Sequence, residues 1–177
     1  MRKKYRFLND YEVDYKPDGK TYLKYIGPYT QIDMDMPSFQ RVKKIMLLLA
    51  LVQFVLFFAI GMAGTTTTRV IYIGLPYALL IVPALYLIYA AARFYKYDLL
   101  LERRQYERDF LNMAGFSIVA LILSGICVVG GIVWFFIGPR QIVNEYLFAP
   151  LSLLYWFCVY VFFAYWRLLE KKISKND

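Results

Sequence analysis

Four long stretches without a charged residue punctuate the chain, over 45–64, 70–92, 113–138 and 146–166. Each matches the roughly 20 helical residues that cross about 30 Å of hydrocarbon. None shows the period-2 alternation of a barrel strand, which needs only about 9–11 residues. The pattern therefore predicts four transmembrane helices. Residues 1–44 are patterned differently. YEVDY (11–15) and TYLKYI (21–26) flank KPDGK, where Pro17-Asp18-Gly19 offers the preset φ, the side-chain bond and the positive φ of a tight turn. Strand, turn, strand is expected there, with Gly27-Pro28 breaking the chain before a third extended stretch, YTQIDM (29–34). An isolated hairpin is marginal in water. This one is expected to lie on the membrane face, pack on the 93–110 segment, or add to a partner's sheet edge.

Pro37-Ser38 precedes FQRVKK, an amphipathic lead-in to the first span. The segment 93–112 is long for a bundle connection, usually about 2–8 residues, and is expected to extend the second helix or lie along the interface. Within it, Arg103 and Glu107 form a helical i,i+4 pair. The fold class is thus an all-α integral membrane protein. It consists of a four-transmembrane-helix bundle (45–177) and an N-terminal cytoplasmic segment (1–44) carrying a small β-hairpin.

Composition agrees: of 177 residues, 60% are apolar and 19% charged, against about 25% charged in an average soluble domain. The net charge of +8 would suggest nucleic acid, but its placement argues otherwise. Ten Lys and Arg fall in 1–44, five between spans two and three, four after span four, and one in each remaining connection, Arg69 and Arg140. The positive-inside rule then puts both chain ends in the cytoplasm. The basic segments face an anionic inner leaflet, where each residue gains about 1 kcal/mol. The lipid bilayer is the expected partner, nucleic acid is not, and a bacterial-type plasma membrane is the expected location. The polar 44 residues ahead of the first span do not read as a cleaved signal.

Spans two and four match without gaps at an offset of 74. Gly64 falls on Gly138, Tyr72 on Tyr146, Pro76 on Pro150, Leu79–Leu80 on Leu153–Leu154, Tyr86 on Tyr160, Ala90 on Ala164 and Arg93 on Arg167. Spans one and three hardly match. A true duplication would make the bundle two parallel repeats of a helical hairpin, 45–92 and 119–166, superposable with one handedness.

The third span has the clearest internal pattern. Ser117, Ala120, Ser124, Cys127 and Gly131 recur at helical steps and put small residues along one face, a packing seam that lets a neighbouring backbone approach. This helix is expected to be the most buried, or to make a dimer contact. Cys127 and Cys158 share a similar depth and read as packing residues rather than redox or metal ligands. Gln53 stands alone in the first span and is expected to bond to another helix. Trp134, Tyr72, Tyr146 and Trp166 lie near span ends, as in aromatic belts. Tyr86, Tyr155 and Trp156 lie deeper. With Gln53 they are candidate pocket residues for a flat apolar ligand. The plainer account of the deep hydroxyls is packing onto backbone carbonyls, one of them freed by the kink that Pro83 should introduce.

The chain has no histidine, and no Asp, Glu, Lys or Arg lies within the four spans. That removes the commonest general base and metal ligand and the intramembrane charge that pumps and proton-coupled transporters use. A serine nucleophile would lack a base. No catalytic residue, cofactor or metal is therefore expected. Three function classes remain. The favoured one is a non-catalytic subunit or accessory protein of a larger membrane assembly, with another membrane protein or further copies of itself as partner. The alternative is an oligomeric small transporter or channel for an apolar or aromatic ligand. A membrane enzyme ranks last.

Overall fold

The computed structural model of the protein describes residues 10–15, 21–63, 67–137 and 147–174. Four helices long and apolar enough to cross a membrane dominate it: α1 (Met36–Ala63), α2 (Ile71–Phe94), α3 (Arg103–Ile137) and α4 (Phe148–Lys171). α1 begins well ahead of the apolar run because Asp35 caps it. The Ser38 N–H donates to its carboxylate at 3.0 Å, and Pro37 sits in the first turn, where a missing N–H goes unneeded. The same bond holds the Asp35 carboxyl below its ordinary pKa.

α2 consists of two pieces, Ile71–Leu79 and Ile81–Phe94, joined through Leu80. Pro83 has no N–H for the Leu79 carbonyl and its ring crowds that oxygen, so the expected bend falls just before the proline. The bonds Leu80 N–H to Pro76 O and Ala84 N–H to Leu80 O, both 3.1 Å, carry the helix across it.

The helices form a ring in chain order, α1 against α2, α2 against α3, α3 against α4, and α4 back against α1. Two cores fill it. One joins Phe39, Phe94, Phe110 and Trp166 at the end bearing the sheet, and the other joins Ile60, Ile73, Phe148 and Tyr155 towards the opposite end. Large apolar side chains stand exposed along the outside, Val55 at 67% and Val129 at 62%, a surface compatible with a membrane helical bundle.

The strands extend and correct the expected pattern. β1 (Tyr11–Tyr15) and β2 (Thr21–Tyr25) pair antiparallel as the predicted hairpin, with Val13 opposite Leu23. Its turn, Pro17-Asp18-Gly19, lies outside the described residues. β3 (Tyr29–Ile32) ends earlier than YTQIDM suggests and does not extend the hairpin. It is the centre of a second sheet between β4 (Leu100–Glu102) and β5 (Ile173–Ser174), in the order β4-β3-β5. Gly27-Pro28 separates the two sheets, and fully buried Ile32 and Leu101 anchor the second one in the core.

The connection after α2 thus neither prolongs that helix nor runs loose. α2 stops at Phe94, Leu100–Glu102 is a strand, and α3 starts at Arg103, ahead of the predicted 113. Glu102 and Gln105 form a reciprocal capping box there, with the Glu102 N–H donating to Gln105 Oε1 at 3.1 Å. The anticipated Arg103–Glu107 pair is present at 2.9 Å. Because β3 pairs with both β4 and β5, the three basic segments of the chain meet at one end of the bundle.

Some residues matched by the 74-residue offset hold unlike places, although Leu79 and Leu153 are both exposed. Ala90 and Leu80 are buried, whereas Ala164 and Leu154 are exposed. Arg93 is ion-paired with Asp109, and Arg167 lies over the Phe163 ring at 5.3 Å. Gly64, Gly138 and Tyr146 fall outside the described residues.

Candidate functional site

The most elaborated polar chemistry lies where the four helices meet the β4-β3-β5 sheet. After Arg103–Gln105, α3 passes through a π turn, Tyr106–Phe110, a local widening of the helix. Side chains from the other helices bond to its backbone carbonyls. Trp166 of α4 donates its indole N–H to Phe110 O at 2.8 Å, and Tyr86 of α2 donates to Arg108 O at 3.2 Å. Asn112 donates to the same Arg108 carbonyl at 2.6 Å.

Inside this turn Asp109 is 1% exposed. Its carboxylate accepts a short hydrogen bond from the Tyr97 hydroxyl and pairs with the Arg93 guanidinium at 3.2 Å. Arg93 also donates to the Tyr89 hydroxyl at 2.8 Å. Lys43 of α1, 2% exposed, donates to Tyr97 O at 2.5 Å and lies 4.6 Å from the Phe39 ring centre. One residue of the α2–α3 connection, Tyr97, therefore ties α1 through its carbonyl to α3 through its hydroxyl.

The hairpin docks onto the same end. Tyr11 donates to Glu102 Oε2 at 2.7 Å, and the Arg103 N–H donates to the Tyr25 hydroxyl at 3.0 Å. Of the three expected resting places for the hairpin, the structure has the 93–110 segment. Burial, then the hydrogen bond to a carboxylate, pushes the Tyr97 and Tyr11 phenols up from 10.0 to about 12. A phenol raised on folding lends its full contribution below its unfolded value and loses it as pH climbs through the folded one. Stability should therefore decline between pH 10 and about 12. Tyr97→Phe and Tyr11→Phe should each remove one high-pH phenolate step from an absorbance titration and flatten that decline.

Of the four residues expected as a pocket, Gln53 and Tyr155 face the same part of the interior, and Tyr86 and Trp156 lie elsewhere. Gln53 is fully buried and donates its amide N–H to Cys158 O at 3.3 Å, the anticipated bond between helices. Tyr155 is also fully buried, within electrostatic range of Cys127, Cys158 and Tyr77. Tyr86 lies apart, stacked on Phe116 at 3.9 Å and bonded to Arg108 O. Trp156 sits in the outer groove between α3 and α4, stacked on Tyr160 and near Gly125. Neither deep tyrosine uses the carbonyl freed by Pro83: Tyr86 takes Arg108 O, and the Tyr155 hydroxyl has no partner among the described residues.

The small seam lies inside the bundle. Ser117, Ala120, Ser124 and Cys127 are at most 2% exposed, and a Cβ on Gly131 would meet the Phe148 ring at 2.9 Å. Its helix shares the highest burial with α1 and α4, their apolar windows each being 33% buried, so it is not set apart as the most buried, and the dimer contact is the other half of that expectation. Trp166 also departs from the belt position, turned inward to the π turn at 5% exposure. Both cysteines are free and buried.

Sequence patterning missed Asp109 and Lys43 as buried charges. The only hint is their position next to apolar runs, within one or two turns of residues 45 and 113. Among the described residues no group of three or more Cys, Asp or Glu is placed to hold a metal ion. Comparison with protein families, with characterised proteins and with solved structures gives no match. The site is therefore read from its own chemistry.

Proposed function

We propose that this chain is a four-span membrane protein with both ends in the cytoplasm, serving as a non-catalytic subunit or scaffold of a larger membrane assembly. The observation that carries the reading is how the buried charges are used. Asp109 is engaged by Arg93 and Tyr97, and Lys43 by Tyr97 O, so the charged groups brace the bundle. At the same end the β1–β2 hairpin, docked through Tyr11 and Tyr25 on Glu102 and Arg103, presents Val13 and, just past β2, Ile26 at 54% and 55% exposed, a surface that suits a protein neighbour. The basic segments gathered at the same end favour the anionic inner leaflet and, with it, a bacterial-type plasma membrane.

Purified in mild detergent from its native membranes, the tagged protein should bring down a stoichiometric partner. Val13→Glu with Ile26→Glu should release that partner and leave helicity unchanged. A clean homo-oligomer that carries an apolar solute into liposomes would favour the transporter instead. Orientation is checked separately. With Cys127 and Cys158 buried, a maleimide that cannot cross membranes should label Lys3→Cys and Asn176→Cys only from the cytoplasmic side, and Arg69→Cys only from the other.

A further inference from the structure

The far-end core holds polar groups that the bundle itself does not satisfy. Tyr155 and Gln53 are fully buried and Ser152 is 1% exposed. Among the described residues, the Tyr155 hydroxyl, Ser152 Oγ and Gln53 Oε1 nonetheless have no hydrogen-bond partner. Local alternatives exist elsewhere in the same protein. Ser117 donates to Met113 O at 2.7 Å and Ser124 to Ala120 O at 2.5 Å, each four residues back along its own helix. Tyr77, packed on the same cluster as Tyr155, donates to Phe57 O at 2.7 Å. Ser152 does not take the corresponding bond to Phe148 O.

The three groups follow one another along the buried face of α4. Ser152 and Tyr155 are one turn apart on the buried face of α4. The Gln53 amide is held on Cys158 O, one further turn along that face. Phe57 of α1, Ile73 and Tyr77 of α2, Cys127 of α3 and Tyr155 of α4 belong to one apolar cluster, so all four helices border the same interior. Orphaned polar atoms in a low-dielectric interior are costly, and buried polar groups are as a rule satisfied by protein or by ordered small molecules.

The geometry points to an enclosed binding site at Gln53, Ser152 and Tyr155 for a small uncharged molecule that both donates and accepts hydrogen bonds. The bordering side chains named here are neutral, which suits a neutral guest. One acceptor and two hydroxyls match a molecule with both functions. Near-complete burial of the three side chains suits a guest the size of water or a two-carbon alcohol rather than a flat aromatic ligand.

The test uses the full chain in lipid nanodiscs. If a guest bridges these groups, deleting one hydroxyl removes a made bond, and Tyr155→Phe and Ser152→Ala should each lower Tm by about 2–4 °C. If the hydroxyls are dry orphans, both variants gain stability and Tm rises, which overturns the proposal. A wild-type measurement stands beside the variants in case they fold poorly. Pulsed X-ray radiolysis generates hydroxyl radical from bound water, so Tyr155 should be oxidised despite its burial. Ethylene glycol separates the two sources. A saturable Tm rise in wild type that Tyr155→Phe lacks assigns the site to a small alcohol. Equal responses with Tyr155 oxidised assign it to water. Equal responses with Tyr155 unlabelled overturn it.

Discussion

Arg93→Ala should destabilise the protein by about 3–5 kcal/mol, the range for stranding a buried charge, and Asp109→Ala by about 1–3 kcal/mol, nearer the loss of a charge-assisted hydrogen bond. The asymmetry follows from where each partner sits. The Asp109 side chain is 2% exposed and that of Arg93 33%. Removing the arginine leaves a carboxylate in the core with only the Tyr97 hydroxyl to stabilise it. Removing the aspartate leaves a guanidinium that keeps Tyr89 as a neighbour and has a route to solvent or headgroups, as long basic side chains near helix ends do. Arg93→Met combined with Asp109→Leu should recover most of the loss, because an apolar pair of similar volume replaces a buried ion pair at little net cost. Reversible unfolding in mixed detergent, followed by tryptophan fluorescence, measures all three. Equal losses for the two alanine variants would mean that Arg93 is as confined as its partner.

The same pair marks the boundary of what residue patterning reveals. Hydrocarbon demands long apolar runs, so the four helices are legible from Ile45, Val70, Met113 and Tyr146 onward. The hairpin is legible because β-rich alternation meets a turn of fixed chemistry. The internal seam is legible because small residues at steps of three and four can only share one helical face. Asp109 was hidden for the opposite reason. It stands among Arg104, Glu107 and Arg108, in a stretch whose nearly balanced charge reads as a solvated linker. Its burial depends on Tyr97 folding back across the end of the bundle and on the π turn, both set by tertiary contacts. Trp166 misleads in the same way: a span-end indole reads as an interfacial anchor until the Phe110 carbonyl draws it inward. β5 has only two residues, too few for any period, and exists because Gln31 and Ile32 offer a sheet edge. The polar interior at Gln53 and Tyr155 was partly legible, since both residues stand out in apolar runs. Tyr86 and Trp156, grouped with them by depth alone, point to other faces.

Gly74→Ala should be the most disruptive of the single methyl additions, costing about 3 kcal/mol, the upper end for overpacking a closed interior. A Cβ at Gly74 collides with the backbone carbonyl oxygen of Thr68, in the 3-10 turn Thr67–Arg69 that feeds α2. Thr67 is buried at 1%, and the turn is pinned to the helix by Val70 N–H to Thr67 O at 3.3 Å and Gly74 N–H to Val70 O at 2.7 Å. The colliding atom is main chain and has no rotamer to change, so the turn itself must shift. At Gly131 the added methyl meets the Phe148 ring at 2.9 Å, a side chain that can yield slightly, and a smaller loss of about 1–2 kcal/mol is expected. Gly115 is the internal control. Nothing lies within 4 Å of its Cβ position, so Gly115→Ala should stabilise by about 0.5–1 kcal/mol through helix propensity alone. The order Gly74, Gly131, Gly115 in measured stability tests whether close backbone approach, rather than glycine content as such, holds the helices at this spacing. If Gly74→Ala proves as benign as Gly115→Ala, the turn after α1 does not sit against α2 as described.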